Sequence, residues 1–353
     1  MGWQSAFALL IIRLEYKSKL YSTINIIAKL VYIAIGIPLV TFVNKDNLVE
    51  LILAYIGSQM VCVLIGVLSQ SDNWNLIKMR KDDCHIAQKE LIKYGFPFIF
   101  SLGVMSLFQA MDKISLSTLS TYNEVGIYSS AYSIVNVFTV IQTTFNALWG
   151  PMAVEHYSQN PSEKLFYQNG NKVITLIMFF LGFSLMLFKD IFALLLGTRY
   201  RDAALIVPFL TFSPIMYTIS ETTVTGLVFK KKSNIQIIIS VGACVTNIIG
   251  NTILVPLYGG RGAAISTGIS YIVFFTLRTF LSNKYYYVDY HLGRFYVVTG
   301  MAILYALINT FQRINIVTIT GYIVCITVLL ILYKDVINLI VNYLKSIIIR
   351  REK

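Results

Sequence analysis

The sequence predicts an all-α integral membrane protein with about ten transmembrane helices. The chain is 56% hydrophobic and 13% charged, and its mean hydropathy is +0.67. A soluble domain carries about twice that charged fraction. Apolar stretches of about 20 residues, long enough to cross a bilayer as a helix, recur along most of the chain. The expected spans are residues 24–43, 51–69, 95–119, 125–149, 172–194, 203–229, 235–255, 260–281, 295–311 and 316–333.

The positive charge is distributed unevenly between the connections. The net charge is +12, and most lysines and arginines fall in alternate connections, such as residues 78–93 and 230–232. Basic residues concentrate on the cytoplasmic side of membrane proteins, so we expect both termini in the cytoplasm. Such clusters also suit anionic lipid headgroups. We therefore expect membrane lipids as partners and no nucleic acid.

The sequence shows no constellation typical of a catalytic, metal or cofactor site. Cys62, Cys84, Cys244 and Cys325 are widely spaced, and the adjacent Cys84 and His85 have no second pair of this kind. Structural and redox metal sites need closely spaced pairs of such ligands. We expect no metal, no cofactor and no enzymatic activity.

A faint internal repeat predicts two lobes. Lys17-Ser18 and Lys232-Ser233 each precede an apolar span that runs in the same direction, which implies parallel repeats. On this alignment the first lobe is incomplete, because residues 1–12 resemble the end of a longer helix and about 120 residues, or four spans, are expected upstream. The predicted organisation is a remnant of the first lobe at 1–69, a cytoplasmic link at 70–94, a complete six-helix lobe at 95–282, two additional helices at 283–335 and a basic amphipathic tail at 336–353.

Short motifs punctuate the spans. Gly259, Gly260 and Gly262 permit a tight turn between antiparallel helices, and Ala263 and Ala264 keep the next helix slim where another backbone approaches. Further motifs are Asn247, Asn251 and residues 13–17, 112–117, 124–132, 147–151, 196–204, 230–232 and 258–264. Together these motifs resemble the polysaccharide flippases of the multidrug/oligosaccharidyl-lipid/polysaccharide exporter superfamily over nearly the whole chain.

This resemblance implies a flippase of the bacterial inner membrane. Its cargo would be an undecaprenyl-diphosphate-linked oligosaccharide, the repeat unit of an O-antigen or capsule, moved by alternating access between two lobes. The polysaccharide polymerase and export machinery would be further partners. In this family two of the first four helices line the transport cavity, and this chain would lack those four.

Ionisable residues inside spans are costly and mark candidate functional positions. Asp112 has a structural alternative, an ion pair with Lys113 or Arg199, beside a role in the cavity. Lys29 has the alternative of extending to the inner membrane surface. Glu221 follows Pro208 and Pro214 in an interrupted span, where transporters place their sites, and is expected to be proton-coupled or paired with a cation. The four candidates are Lys29, Asp112, Lys113 and Glu221.

Polar residues form a stripe along one face of the fourth span. Spacings of four and three place Tyr132, Asn136, Thr139, Thr143 and Asn146 on the same helix face, and Gln142 flanks them. Single hydroxyl and amide groups usually hold helices together. A stripe across the whole bilayer favours a wet cavity instead, and its groups suit a sugar.

The predicted cargo needs cations for its diphosphate and hydrogen-bonding groups for its sugars. Lys29, Lys113 and Arg278 are the expected phosphate partners. The complete set of predicted cavity residues is Lys29, Asp112, Lys113, Asn136, Gln142, Glu221 and Arg278. Coupling to protons or Na⁺ through Asp112 or Glu221 stays open.

Three other functions remain as alternatives. A multidrug or cation antiporter of the same fold would want an acidic, apolar cavity. A membrane-bound O-antigen polymerase or ligase would need a long outer loop with catalytic Arg or His, whereas the predicted outer loops are short and contain no His. An inactive truncated remnant, or a partner for another subunit, is the third.

Overall fold

The computed structural model describes residues 5, 7–9, 11–12, 17–42, 47–70, 103, 106–108, 110–232 and 234–338. Within these residues the regular structure is helical and contains no strand, which confirms the predicted all-α membrane fold. The chain forms two compact units, residues 1–88 and residues 89–353. The predicted tail at 336–353 lies mostly outside the described residues, and the assignment of the units to two lobes stays a prediction.

The first unit is built on a helical hairpin. Helix α1 is Ser18–Phe42 and helix α2 is Asn47–Leu68. Gly36 of α1 lies against Ala54 of α2, a small-residue contact that allows two helices to approach closely. Ile26, Leu30 and Ile33 of α1 are exposed apolar side chains, as expected for a surface in contact with lipid.

The second unit is a larger helical bundle. Helix α3 has residues 110–119 as its described part. The remaining helices are α4 Tyr122–Val135, α5 Val137–Gln159, α6 Leu165–Leu194, a 3₁₀ helix Thr198–Leu205, α7 Val207–Leu210, α8 Phe212–Thr223, α9 Thr225–Phe229, α10 Asn234–Tyr258, α11 Gly260–Asn283, α12 Leu292–Phe311 and α13 Ile316–Leu332.

The described helices match most of the predicted spans. Within the described part of the chain, six unbroken helices are long and apolar enough to cross a membrane, and two bent pairs raise that number to eight. Helix α13, at 17 residues, is apolar but shorter. The predicted span 95–119 lies partly outside the described residues. The chain is therefore a multi-pass membrane protein, and the total of ten spans stays a prediction.

Two of the membrane spans are bent, each at a position that the sequence makes recognisable. Helices α4 and α5 meet at 44° around Asn136, and the segment 198–223 bends by 57° before Val207. Pro208 occupies the first turn of α7, where its missing N–H costs nothing. These breaks lie in the spans that carry the polar stripe and Glu221.

Aromatic side chains fill the centre of the second unit. Phe179, Phe183 and Phe209 are buried there. The rings of Phe275 and Phe295 stack with their centroids 4.1 Å apart, which packs α11 against α12. The two additional helices α12 and α13 are thereby part of the same core.

A buried lysine holds the α12–α13 connection to α6. Lys189 is 0% exposed, and its Nζ donates to Asp190 Oδ2 and to the Gln312 carbonyl oxygen, both at 3.0 Å. Asp190 Oδ2 also accepts the Ile314 N–H at 2.8 Å. The charge is paired and hydrogen-bonded, as burial of a cation requires.

An ion cluster holds the other end of these helices. Asp335 Oδ2 accepts from Lys172 Nζ at 3.3 Å and from Arg294 Nη1 at 3.2 Å. Burial acts to raise the pKa of Asp335, but the two cations outweigh it and the pKa is lowered. The lowered pKa keeps the carboxylate charged at neutral pH, and its stabilising contribution is lost only as the pH falls through that lowered value.

Glycine allows the closest helix contact in the second unit. A Cβ on Gly262 would collide with the backbone carbonyl of Leu254, whereas Gly300 faces open space. We expect Gly262→Ala to lower the free energy of unfolding by about 2 kcal/mol, because the backbones would have to separate. Gly300→Ala is the control and should raise it by up to about 1 kcal/mol through helix propensity. Thermal and denaturant unfolding in detergent micelles measures both, and equal effects would contradict the packing.

Candidate functional site

Asp112 lies at the centre of a buried hydrogen-bond network. Its Oδ2 accepts from Tyr128 Oη at 2.5 Å and Thr267 Oγ1 at 2.6 Å. Its Oδ1 accepts from Asn247 Nδ2 and Asn251 Nδ2, each at 3.0 Å. Four donors from α4, α10 and α11 thus surround one carboxylate on α3.

All four donors are neutral. Among the described residues Asp112 has no ion pair, so the predicted pair with Lys113 or Arg199 is not formed there. Lys113 is exposed, and Arg199 donates to Asn123 instead. Four accepted hydrogen bonds use the full capacity of an ionised carboxylate, and they satisfy its charge without a cation. The network joins four helices at one point.

A cavity opens beside the bend at Asn136. Its volume is about 180 Å³, and it lies between the α4–α5 bend, α8 and α11. Its lining residues carry hydroxyl, amide and aromatic groups and no formal charge. They are Tyr132, Val135, Asn136, Thr139, Gln142, Ser213, Pro214, Tyr217 and Tyr271.

Several polar groups of this cavity have no hydrogen-bond partner among the described residues. Among the described residues, the side-chain amides of Asn136 and Gln142 and the hydroxyls of Tyr132 and Tyr271 make no hydrogen bond. In a membrane such groups need a partner, because lipid supplies none. Open volume beside these groups leaves room for water or a polar ligand to act as that partner.

Glu221 and Arg278 form an ion pair next to this cavity. Arg278 Nη1 donates to Glu221 Oε1 at 2.8 Å and to Ser220 Oγ at 2.6 Å. The guanidinium carbon lies 5.6 Å from the centroid of the Tyr217 ring, within range of a cation–π contact. The Nε of the same guanidinium group is buried and has no hydrogen-bond partner among the described residues. The cation is therefore held between a carboxylate and an aromatic wall of the cavity.

A second, smaller cavity lies one helical turn further along α5 and α8. It has a volume of about 70 Å³ and is lined by Glu221, Asn146 and Trp149, among others. Asn146 Oδ1 and Trp149 Nε1 are buried without partners. Two orphaned groups beside a carboxylate indicate space for water molecules, which need two to four polar partners each.

The structure brings some predicted residues together and separates others. Asn136 and Gln142 share the larger cavity, and Glu221 pairs with Arg278 beside it. Asp112 has its own network, and Lys113 is exposed. Lys29 is exposed on α1 of the other unit.

The polar stripe divides between the two cavities. Tyr132, Asn136 and Thr139 line the larger cavity, and Asn146 lines the smaller one. Thr143 is exposed, and its hydroxyl donates to the Thr139 carbonyl oxygen at 2.8 Å. Thr143 lies on the same helix as Thr139 and Asn146 but lines neither cavity.

Sequence reasoning missed Tyr217 and Tyr271 as cavity residues. Tyr217 lies one turn before Glu221 on α8, and Tyr271 lies on α11. The spacing of four between Ser213, Tyr217 and Glu221 was a signal for a second polar face. Tyr271 has no comparable signal, because its helix is rich in aromatic residues.

Comparison with known proteins places the fold. The family described as polysaccharide biosynthesis protein matches residues 2–156. The structure titled lipid II flippase MurJ, inward closed conformation, has a TM-score of 0.58 and 15% identity, covering 90% of this chain and 66% of that one. A mutant MATE protein has a TM-score of 0.54 and 17% identity, covering 80% of this chain and 65% of that one. No curated protein matches in sequence.

These findings confirm the predicted resemblance to the superfamily. The chain has the fold of membrane flippases and transporters, and residues 2–156 match a polysaccharide biosynthesis family. It spans about two thirds of the length of the two solved structures.

Replacing the central carboxylate tests the network around it. Asp112→Asn keeps the size but turns one acceptor oxygen into a donor that faces other donors. We expect the free energy of unfolding to fall by about 2 kcal/mol or more, because buried groups lose their partners. Thermal unfolding in detergent measures the loss. The control Lys113→Gln changes the exposed neighbour and should have little effect; an Asp112→Asn protein as stable as wild type would refute the network.

A double-mutant cycle tests the ion pair. Arg278→Met should lower the free energy of unfolding by about 3 kcal/mol, since it leaves Glu221 unpaired in a largely buried position. Adding Glu221→Gln removes that charge and should recover part of the loss. Denaturant unfolding of the four proteins gives the coupling energy. Additive effects of the two substitutions would show that the pair is not formed in the membrane protein.

Proposed function

We propose that this chain acts in a transporter that flips a lipid-linked oligosaccharide across the bacterial inner membrane. The observation that carries the proposal is the uncharged cavity at the α4–α5 bend, with its unpaired amide and tyrosine groups. Sugars offer many hydroxyl groups to amides, and their apolar ring faces pack on aromatic rings. The proposed cargo is an undecaprenyl-diphosphate-linked repeat unit of an O-antigen or capsule.

Three cations were predicted to bind the diphosphate, and they are not equivalent. Arg278 Nη1 is already engaged by Glu221 and Ser220. Lys29 and Lys113 are exposed. We propose that the sugar portion occupies the cavity, while Lys113, which is exposed on the same unit, is the first candidate for the diphosphate; the role of Lys29 stays a prediction.

The transport cycle would be alternating access, in which two lobes rock about a central site. Both termini would lie in the cytoplasm, as the distribution of basic residues indicates. Coupling to protons or Na⁺ through Asp112 or Glu221 belongs to the same proposal. The polymerase and export machinery would use the flipped product.

The antiporter alternative has weaker support. A cationic drug requires a free carboxylate or an accessible aromatic cage. The described lining of the larger cavity contains no carboxylate, and Glu221 beside it is paired with Arg278 at 2.8 Å. An aromatic contribution from the tyrosines is common to both functions, so only transport measurements separate them.

Removing one amide from the cavity should reduce transport of the sugar cargo. Gln142→Leu keeps the approximate size and removes hydrogen bonds, and each lost bond of about 1.4 kcal/mol lowers kcat/KM about tenfold. Thr252→Val is the control, because Thr252 is exposed on α10 and its hydroxyl donates to its own helix at 2.8 Å. Proteoliposomes loaded with a polyprenyl-diphosphate oligosaccharide report flipping through the accessibility of the sugar to an external lectin.

Three outcomes would overturn the proposal. The wild-type chain would fail to flip any lipid-linked oligosaccharide, which is the result expected of an inactive remnant. It would export a lipophilic cation under the same conditions without flipping the oligosaccharide, as the antiporter alternative requires. Gln142→Leu and Thr252→Val would transport equally well, which would separate the activity from the cavity.

A further inference from the structure

Three connections of the second unit meet at one end of the bundle. They are the α5–α6 connection, the turn after α9 and the α11–α12 connection. Tyr286 Oη donates to the Pro161 carbonyl oxygen at 2.8 Å, and the Tyr286 ring lies 5.5 Å from the Phe229 ring. These contacts join the three connections into one surface. Its exposed lysines are Lys164, Lys230, Lys231, Lys232 and Lys284, here called the lysine surface.

Three of the five cations of the lysine surface lie over aromatic rings. Lys164 Nζ is 5.6 Å from the centroid of Tyr287, Lys232 Nζ is 5.9 Å from Tyr285, and Lys284 Nζ is 4.8 Å from Phe280. Among the described residues, none of the five lysines forms an ion pair. The rings contact the ammonium groups of Lys164, Lys232 and Lys284 without forming an ion pair with them.

The acidic residues nearest in sequence have other partners. Glu163 Oε2 lies within ion-pair distance of His156 Nε2, at 3.3 Å, although the two are not aligned as a hydrogen bond. Asp289 accepts the backbone N–H of His291 at 2.9 Å. Five lysines against the two carboxylates of Glu163 and Asp289 leave the lysine surface with a net positive charge.

Lys231 stands at a position that favours glycine. Its φ is 51°, in the left-handed region, and it follows the last residues of α9. The Lys232 N–H donates to the Leu227 carbonyl oxygen at 2.8 Å, and the Lys231 N–H donates to that of Val228 at 3.1 Å. This is a Schellman motif, whose left-handed residue is usually glycine because a Cβ is unfavourable there. A lysine at this position adds a positive charge but holds its backbone in a conformation that is unfavourable for a residue with a Cβ.

Apolar and aromatic side chains surround the lysines at the level where a bilayer would begin. Val228 and Phe280 are exposed just inside the lysine surface, and Tyr287 is exposed beside it. Tyrosine is enriched at the membrane–water interface, where its ring and hydroxyl meet different surroundings. The lysines would thus lie at the depth of the lipid phosphates.

We propose that the lysine surface binds the phosphate headgroup of an anionic phospholipid. The lysines of three connections supply charge-assisted hydrogen bonds to the phosphate oxygens, and Val228 and Phe280 contact the start of the acyl chains. Each lysine at an anionic lipid surface contributes about fivefold to the binding constant. The site holds three connections together, so its occupancy stabilises that end of the bundle. It does not depend on which cargo the cavity takes.

Helix capping and membrane orientation are the structural alternative for the same lysines. Cations near a helix C-terminus interact favourably with its dipole, and cytoplasmic lysines orient a protein during insertion. Neither role requires a particular lipid once the protein is folded. Measurements on the purified, folded chain in bilayers of defined composition therefore separate the two.

The test compares the full chain in nanodiscs of phosphatidylcholine alone and with phosphatidylglycerol. We expect phosphatidylglycerol to raise the melting temperature and to remain bound in native mass spectrometry. Lys230→Gln/Lys231→Gln/Lys232→Gln should weaken phosphatidylglycerol retention by tenfold or more. Lys231→Gly removes one charge while favouring the turn, so it should fold at least as well and weaken retention about fivefold.

The matched control removes three charges from the opposite end of the bundle. Arg199→Gln/Arg201→Gln/Arg261→Gln should retain phosphatidylglycerol as wild type does. Equal retention by the lysine variants and wild type would overturn the proposal, as would an equal loss in the arginine control. Full displacement of the lipid by inorganic phosphate would also overturn it, because it would indicate a site for free phosphate.

Discussion

The absence of water inside a bilayer is the constraint on which this structure depends. Every polar group at that depth must find a partner in the protein or in a wet cavity, because hydrocarbon offers none. Asp112 shows the first solution, with four neutral donors at 2.5 to 3.0 Å around one carboxylate. Asn136 and Gln142 show the second, with amides that face open volume. Polar groups with protein hydrogen-bond partners thus belong to the structural framework, and polar groups that face open volume mark the candidate binding site.

The same contrast organises the charges near the cavity. Arg278 and Glu221 neutralise each other beside it, so the larger cavity has polar walls without a net charge. An uncharged, hydrogen-bonding pocket suits a carbohydrate better than an isolated ion. The anionic part of a lipid-linked sugar would then be met elsewhere, by exposed lysines. The cavity and the exposed lysines would then contact the oligosaccharide and the diphosphate of the proposed cargo, respectively.

The fold class could be predicted from the sequence because span length and low charge are local properties. The polar stripe of the fourth predicted span could also be predicted, since helical spacing alone places Thr139 and Asn146 on one face of α5. The pairing of Glu221 with Arg278 was not, because the two residues are 57 positions apart and either could have had another partner. Lys189, near the end of the predicted span 172–194, is fully buried. Its burial depends on a hydrogen bond to the Gln312 carbonyl oxygen, 123 positions away, which no local sequence pattern predicts.

The buried ammonium group of Lys189 has a mechanical consequence. It ties the end of α6 to the connection between α12 and α13, while Asp335 ties the start of α6 to the far ends of the same two helices. A pair of helices anchored at both ends to one neighbour cannot swing independently of it. During any conformational cycle, α12 and α13 should therefore move together with α6 as one rigid group. A spectroscopic probe on any of these three helices would report the displacement of all three.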